Sequence, residues 1–221
     1  MGSYNFQWSI LDDYWPALLA GAWLDLWVSV VGFVLACAFG LVFALMRRSG
    51  VRLLAGTGTA LVETARGIPP YVMLLWVHFG VSQLAGVAFS PFESILIVLA
   101  FTSAGYASEI FRSALDAVDR GQFEAAESLG LRRYAVYREV ILPQCMRRVV
   151  APLGNVMVGT LKTATLMGVI AVPDLMHQAQ SINMDYFAPF EAFTAVLVIF
   201  VAMVFTISLL FLAIERALEY P

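Results

Sequence analysis

The stretch Gly121–Pro143, GQFEAAESLGLRRYAVYREVILP, is the longest strongly charged passage in a chain that is otherwise mostly apolar. Apolar residues recur at helical spacing on both sides of Gly130, and glycine readily takes the left-handed conformation that ends a helix. The stretch predicts two short helices joined at Gly130, the first capped by Asp119 with Gln122 three residues later, and the second ending at Pro143. A segment facing lipid could not carry so many charges, so we expect it to be presented to a soluble partner.

The remaining sequence is organised in long apolar blocks. Of the 221 residues, 61% are hydrophobic and 13% are charged, which is unlike a soluble domain of this length. Five blocks reach the roughly 20 residues that a helix needs to cross a bilayer. We therefore expect an all-α membrane protein that forms one domain over residues 1–221. The predicted spans cover residues 17–46, 53–80, 92–112, 149–172 and 190–214, and the charged 119–143 segment lies between the third and fourth.

The positive charges predict the orientation of the chain. Apart from Arg66 and Lys162, the thirteen Lys and Arg residues lie between spans one and two, between spans three and four, or after span five. By the positive-inside rule, the N-terminus is expected outside, and the 119–143 segment and the C-terminus in the cytoplasm. The loop at 173–189 is then extracytoplasmic, and we interpret it as an ordinary solvated loop in preference to a gate or a contact with a solute-binding protein.

Span two contains a cation next to a predicted helix break. Pro69 and Pro70 remove backbone donors and disturb the preceding turn, which is tolerated at membrane depth only beside protein or a water-filled cavity. Arg66 is expected to face such surroundings and could hold a carboxylate of a solute. A structural pair with Glu63, three residues earlier on the same face, is equally compatible with the sequence.

Spans three and four carry polar residues with candidate roles. Span four is the least apolar span, and its polar residues include Asn155, Thr160, Lys162, Thr163 and Thr165. Such a helix is expected to line a cavity and to be shielded from lipid. Lys162 is predicted to pair with a solute carboxylate or, equally, with Glu109 or Glu63. In span three, Glu109 and Arg112 are spaced for a pair within the helix.

Span one carries a small residue at every fourth position, namely Gly32, Ala36, Gly40 and Ala44. Such a stripe lets two helices approach closely in lipid, so we predict a tightly packed partner helix along this face.

The sequence offers no metal site and no catalytic site. Its two cysteines and two histidines lack metal-ligand spacing, and no nucleophile elbow or phosphate-binding glycine loop occurs. We therefore expect no enzymatic activity and no cofactor on this chain, and any ATP that drives it is expected on another chain.

Three motifs resemble one family of membrane transporters. The Glu124-Ala125-Ala126, Gly130, Val140 and Leu142-Pro143 positions have the spacing of the EAA loop of ATP-binding-cassette (ABC) importer permeases, with Val140 where isoleucine is usual. Arg66-Gly67-Ile68-Pro69 resembles the RGTP-type segment of polar amino acid permeases, with Ile68 in place of threonine. Residues 161–166 resemble their LKDTSL segment, with Thr163 in place of the acid.

The resemblance implies the type I (MetI-like) importer fold with five transmembrane helices, in the cytoplasmic (inner) membrane of a prokaryote. It implies a permease that moves a polar amino acid or an amino-acid-derived solute by alternating access. The implied partners are a second permease chain, identical or paralogous, two cytoplasmic ATPase subunits that bind ATP and Mg²⁺, an extracytoplasmic solute-binding protein and the lipid bilayer, but no nucleic acid.

The resemblance also assigns residues. Those expected to couple to the ATPase are Gly121, Phe123, Glu124, Ala125, Ala126, Leu129, Gly130 and Tyr134. Glu124 is expected to meet the ATPase electrostatically, and Phe123, Ala126 and Leu129 to fill a groove in it. The candidate substrate-pathway residues are Glu63, Arg66, Gly67, Pro69, Tyr106, Glu109, Asn155, Lys162, Thr163 and Thr165.

A stand-alone, ion-gradient-driven carrier or channel is the alternative from another class. Such carriers often contain inverted repeats with paired broken helices, and only span two is plainly broken here. A membrane anchor without transport activity is a third reading, which the polar span four argues against. An ectoine-like compatible solute and an opine are the alternative substrates.

Overall fold

All regular structure in the computed structural model, which describes residues 6–218, is helical. The helices are α1 (Ile10–Arg47), α2 (Arg52–Gly67), α3 (Pro70–Ala85), α4 (Pro91–Asp116), α5 (Arg120–Ser128), α6 (Arg133–Ile170), α7 (Leu175–Tyr186) and α8 (Pro189–Leu218). Helix α3 contains a π-helical turn at Trp76–Val81. Helix α6 contains another at Val136–Ile141 and ends in a 3₁₀ turn at Thr165–Ile170.

Four helices in the described part of the chain, α1, α4, α6 and α8, are long and apolar enough to cross a membrane. Helices α2 and α3 make a fifth span if the broken pair crosses as one. The break lies at Ile68 and Pro69, whose extended backbones (ψ 127° and 130°) interrupt the helix before Pro70. This agrees with the prediction that span two is broken at its prolines.

The chain packs as two compact units. The first comprises the residues up to Gly32, Pro69–Leu99 and Gly159–Thr206. Its core is formed where α7 packs with α1 and α8, through Leu18 and Ala22, Leu175, Ala179 and Ile182, and Ala192 and Ala195.

The second unit comprises Phe33–Ile68, Ala100–Val158 and the residues from Ile207 onward. One core cluster joins the end of α4 to α5 and to the start of α6, and its buried members include Ala114, Val118, Ala126, Val136, Ile141 and Val149. A second cluster joins α1, α2 and α4 through Phe43, Val62 and Ala104.

The small-residue stripe of α1 packs against α4, as predicted. In the first unit, a Cβ at Gly32 would lie 2.8 Å from the Leu99 Cβ, and in the second a Cβ at Gly40 would lie 2.7 Å from the Ala107 Cβ. Both distances are too short for a real side chain. Ala36, between these glycines, is fully buried.

Two predicted boundaries are wrong. The second short helix does not end at Pro143, because α6 continues through it to Ile170. Proline cannot donate the hydrogen bond of a regular helix and clashes with the preceding turn. The π-helical turn at Val136–Ile141 ends two residues before Pro143, so the helix departs from regular α geometry just where proline disturbs it.

The stretch at 173–189 is also not a solvated loop. It contains α7, whose Leu175, Ala179 and Ile182 are fully buried. Their spacing of four and three residues is that of one helix face, and this face packs into the core of the first unit.

Candidate functional site

Helix α5 has well-defined ends. The Gly121 N–H donates to Asp119 Oδ1 at 2.7 Å, so Asp119 caps the helix as predicted. Gly130 follows the helix with φ 76°, the left-handed conformation expected of it. The Leu131 N–H then donates to the Ala126 carbonyl and the Gly130 N–H to the Glu127 carbonyl, which together form a Schellman motif.

One face of α5 is anchored within the second unit. Ala126 is 4% exposed, and Phe123 is half-buried with its ring 5.8 Å from the Tyr137 ring. Ala126 is therefore taken up by the chain's own core, whereas Phe123 is only partly covered by it. Of the three apolar residues expected to enter a partner's groove, Leu129 alone has an exposed side chain, at 81%.

The opposite face of α5 is exposed and charged. Its exposed residues are Gly121, Glu124, Ala125, Glu127 and Ser128, and Leu129, Gly130 and Tyr134 beyond the helix are also exposed. Tyr134 is 74% exposed. The segment therefore presents the Glu124 and Glu127 carboxylates on α5, a helix anchored by its buried face, and the Leu129 and Tyr134 side chains just beyond that helix.

Glu109 is the centre of an ion-pair network in the second unit. Glu109 Oε1 accepts from Arg47 at 2.7 Å and from Arg66 at 3.4 Å, and Oε2 accepts from Arg112 at 2.9 Å. Arg112 also bonds Asp116, at 3.0 Å. The predicted pair between Glu109 and Arg112 is therefore confirmed, within a larger network that ties α1, α2 and α4 together.

Arg66 is held by α4 and not by its own helix. In the described residues it pairs with Glu109, whereas Glu63 is exposed and does not bond to it. Its guanidinium carbon lies 5.6 Å from the centre of the Tyr106 ring, within cation–π range. A Cβ at Gly105 would lie 2.8 Å from Arg66 Cγ, so this glycine gives the arginine room to reach Glu109. The side chain nevertheless remains 39% exposed.

The other candidate pathway residues lie on α2, in the break after it and on α6. Gly67 is the last residue of α2, and Pro69 lies in the break after it. Asn155 and Lys162 are exposed, and no ion pair at Lys162 is present among residues 6–218. Thr163 and Thr165 direct their hydroxyls to the carbonyls of Gly159 and Lys162 in their own helix.

In the sequence, Arg47 and Arg48 indicate only the orientation of the chain, and Asp116 has no predicted role. Arg48 bonds Asp116 in the structure. The four-residue spacing of Arg112 and Asp116 on α4 was a usable signal for one of these contacts. The pairing of Arg47 with Glu109, 62 residues away, carried no local signal.

A second polar cluster lies in the first unit at the N-terminus of α7. Asp174 is fully buried and accepts from the His177 N–H at 2.7 Å and the Gly168 N–H at 2.8 Å. The Leu175 N–H donates to Asp25 of α1 at 3.3 Å. Burial raises the pKa of Asp174, and the backbone N–H bonds partly oppose that effect. No group of three or more His, Cys, Asp or Glu in residues 6–218 is placed to hold a metal ion.

Comparison with known proteins gives consistent matches over nearly the whole chain. Residues 14–220 match the model of the family described as binding-protein-dependent transport system inner membrane component. The glutamine transport system permease protein GlnP of Escherichia coli (strain K12) is 30% identical over 216 residues, covering 97% of this chain and 99% of that protein. A probable amino-acid ABC transporter permease protein, YckA of Bacillus subtilis (strain 168), is 34% identical over 180 residues, covering 81% and 79%.

Two solved structures have the same fold. A crystal structure of an amino acid ABC transporter with histidines has a TM-score of 0.88 and 30% sequence identity, covering 97% of this chain and 100% of that one. An inward-facing structure of the MetNI methionine ABC transporter has a TM-score of 0.74 at 21% identity, covering 92% and 96%. The chain, whose regular structure over residues 6–218 is helical, therefore has the MetI-like fold of type I ABC importer permeases.

Proposed function

This chain belongs to the binding-protein-dependent transport system inner membrane component family, and we propose that it is the permease subunit of an ABC importer for a polar amino acid or an amino-acid-derived solute. The amino-acid class is supported by the names of the relatives and of the structural neighbour. Membership of a family of membrane permeases also disfavours the stand-alone carrier. The chain is a multi-pass protein of the inner membrane.

The observation that carries the coupling proposal is the exposed face of α5. Glu124 and Glu127 project from a helix whose other face is buried against α4 and α6. A partner that docks on the exposed face would therefore move the whole buried cluster with it. We assign the docking to an ATPase subunit, with carboxylates meeting a basic surface and Leu129 and Tyr134 supplying the apolar contact.

The remaining parts of the proposed mechanism follow from this assignment. ATP and Mg²⁺ are bound by the ATPase subunits, which act as a pair. Because one permease chain offers one docking helix, two permease chains are needed to bind the two ATPase subunits. A solute-binding protein delivers substrate on the opposite side, where the N-terminus is placed by the positive-inside rule. ATP-driven docking then alternates access to the substrate site between the two sides.

Arg66 is the group we assign to the substrate carboxylate. Its bond to Glu109 is long, at 3.4 Å, and Glu109 Oε1 is already occupied by Arg47 at 2.7 Å. The exposed part of the guanidinium is therefore free to take a second carboxylate while Tyr106 holds its position. Arg66→Gln is expected to lower uptake while the ATPase still copurifies. Unchanged substrate affinity and uptake in this variant would show that Arg66 has only a structural role.

Glu124→Arg tests the docking assignment. The variant is expected to reach normal levels in the membrane, because Glu124 is exposed, and to lose uptake while the ATPase continues to hydrolyse ATP. Glu139→Arg is the matched control, since Glu139 is also an exposed acid of the 119–143 segment but lies on α6. Copurification of an ATPase with the wild-type chain should accompany the test. Normal uptake by Glu124→Arg at normal protein levels would contradict the docking assignment.

A further inference from the structure

The ends of α1 and α4 in the second unit carry an excess of positive charge. Helix α1 ends at Arg47 and α4 at Asp116, and Arg48 bonds Asp116, so the two helix ends lie together. Among residues 6–218, the guanidinium groups of Arg47, Arg48, Arg66 and Arg112 share two carboxylates, those of Glu109 and Asp116. Four positive charges against two negative charges leave a net charge of +2 in this network.

A surface groove of about 350 Å³ begins at this network. It runs between α4 and α6, and its apolar walls are formed by Ile110, Ala114, Ala117 and Pro152. Its polar residues are Glu109, Ser113 and Arg148. The volume is at the lower end of the range of roughly 300–1,000 Å³ that is usual for small-molecule sites.

Arg148 adds a further cation to the groove. Its guanidinium donates to the Ala117 carbonyl at the end of α4, and no ion pair at Arg148 is present among residues 6–218. Glu109 is also in the groove, but its charge is already matched by three arginines. The groove therefore combines apolar walls with net positive charge.

The ligand that fits this combination is an amphiphilic anion. An apolar wall selects an alkyl chain, and a guanidinium with free N–H groups selects a phosphate oxygen. The groove also lies where two membrane-spanning helices end, which is where phospholipid headgroups meet the protein. We propose that this groove binds an anionic phospholipid, with Arg148 contacting the phosphate and the first part of an acyl chain lying along Ile110 and Pro152.

Thermal unfolding of the purified chain in neutral detergent tests the proposal. Three additives are compared at equal concentrations, namely dioctanoyl phosphatidylglycerol, dioctanoyl phosphatidylcholine and inorganic phosphate. We expect the melting temperature to rise with the phosphatidylglycerol concentration and to stay constant with the other two. Equal stabilisation by phosphatidylcholine would show that the groove is a general apolar surface. Stabilisation by inorganic phosphate alone would show that it binds free anions. Either result overturns the proposal.

Two variants locate the binding. Arg148→Gln is expected to weaken the apparent affinity for phosphatidylglycerol about tenfold, the effect of losing one charge-assisted contact. Arg52→Gln removes the same charge from an exposed position outside the groove and is expected to leave the affinity unchanged. An equal loss in both variants would mean diffuse attraction to the arginines and would refute a specific site.

A third variant is independent of the contact between Arg148 and the end of α4. Ser113 is exposed in the groove, so Ser113→Phe fills the space and leaves every charge in place. The expected result is loss of the phosphatidylglycerol effect with an unchanged melting temperature in its absence. Full retention of the effect in Ser113→Phe would also overturn the proposal.

Discussion

Replacing Glu109 by glutamine is expected to destabilise the second unit more through the lost contact with Arg47 than through the lost contact with Arg66. The two arginines share Glu109 Oε1, but their contacts differ in length and burial. Arg47 lies 2.7 Å away with 14% of its side chain exposed, whereas Arg66 lies 3.4 Å away with 39% exposed. A screened, long contact contributes much less than a short, shielded one.

These contacts give unequal coupling energies. For Arg47 and Glu109 we expect about 2 kcal/mol, the range of a hydrogen bond to a charged group, which is roughly 30-fold in the unfolding equilibrium. For Arg66 and Glu109 we expect less than about 0.5 kcal/mol, because solvent screens an arginine that is more than one third exposed. Glu109→Gln alone is expected to cost about 2–3 kcal/mol, since it leaves a shielded guanidinium without an anion.

Two double-mutant cycles measure these energies. Glu109→Gln is combined in turn with Arg47→Gln and with Arg66→Gln, and the free energy of unfolding is obtained from titration with a denaturing detergent. The single variants provide the controls, because each cycle cancels effects that do not involve the pair. A coupling energy for Arg66 equal to or larger than that for Arg47 would refute the reasoning and would identify Arg66 as a mainly structural residue.

Three further predictions concern Gly130, Gly40 and Asp174, with Gly56 as a control. Gly130→Ala is expected to destabilise the end of α5 by about 1 kcal/mol, because its φ of 76° disfavours a side chain, and to lower uptake. Gly40→Ala should lower the melting temperature through about 1–3 kcal/mol of overpacking against Ala107. Gly56→Ala is the control for both, since nothing lies within 4 Å of its added Cβ, and this variant should be at least as stable as the wild type. A loss of stability in Gly56→Ala equal to that in the other two variants would contradict both predictions. Asp174→Asn should flatten the pH dependence of stability: burial raises the folded-state pKa, so the stability this carboxyl contributes is complete below about pH 4 and is lost as pH rises through the raised pKa. Melting temperatures of wild type and variant between pH 4 and 8 check this, and parallel profiles would contradict it.

The features predicted correctly are those that depend on neighbouring residues. The cap at Asp119, the helix end at Gly130 and the break before Pro70 each follow from the chemistry of one or two residues and their local backbone. The close packing of α1 also follows from local sequence, because a glycine or alanine at every fourth position forms a smooth stripe against which another membrane helix can pack closely.

The features that were missed depend on contacts between distant parts of the chain. Helix α7 lacks Lys and Arg and lies between prolines, which favoured a loop, although Leu175, Ala179 and Ile182 already had helical spacing. The sequence also does not show whether the apolar face of α5 packs inside the chain or against a partner. A local pattern identifies an apolar face but not what covers it. Ala126 packs against the second unit's own core, which only the fold reveals.

The length of α1 has a practical consequence. Its 38 residues make a rod of about 57 Å, and even a tilt of about 40° leaves roughly 44 Å along the bilayer normal, against a hydrocarbon thickness of about 30 Å. Charged residues mark both ends of the helix, Asp12 and Asp13 in the first turn and Arg47 in the last, so the excess length extends beyond the hydrocarbon at its ends. A fluorophore attached at Asp13, which is exposed in the first turn, would stay in aqueous surroundings and would report distance changes during transport.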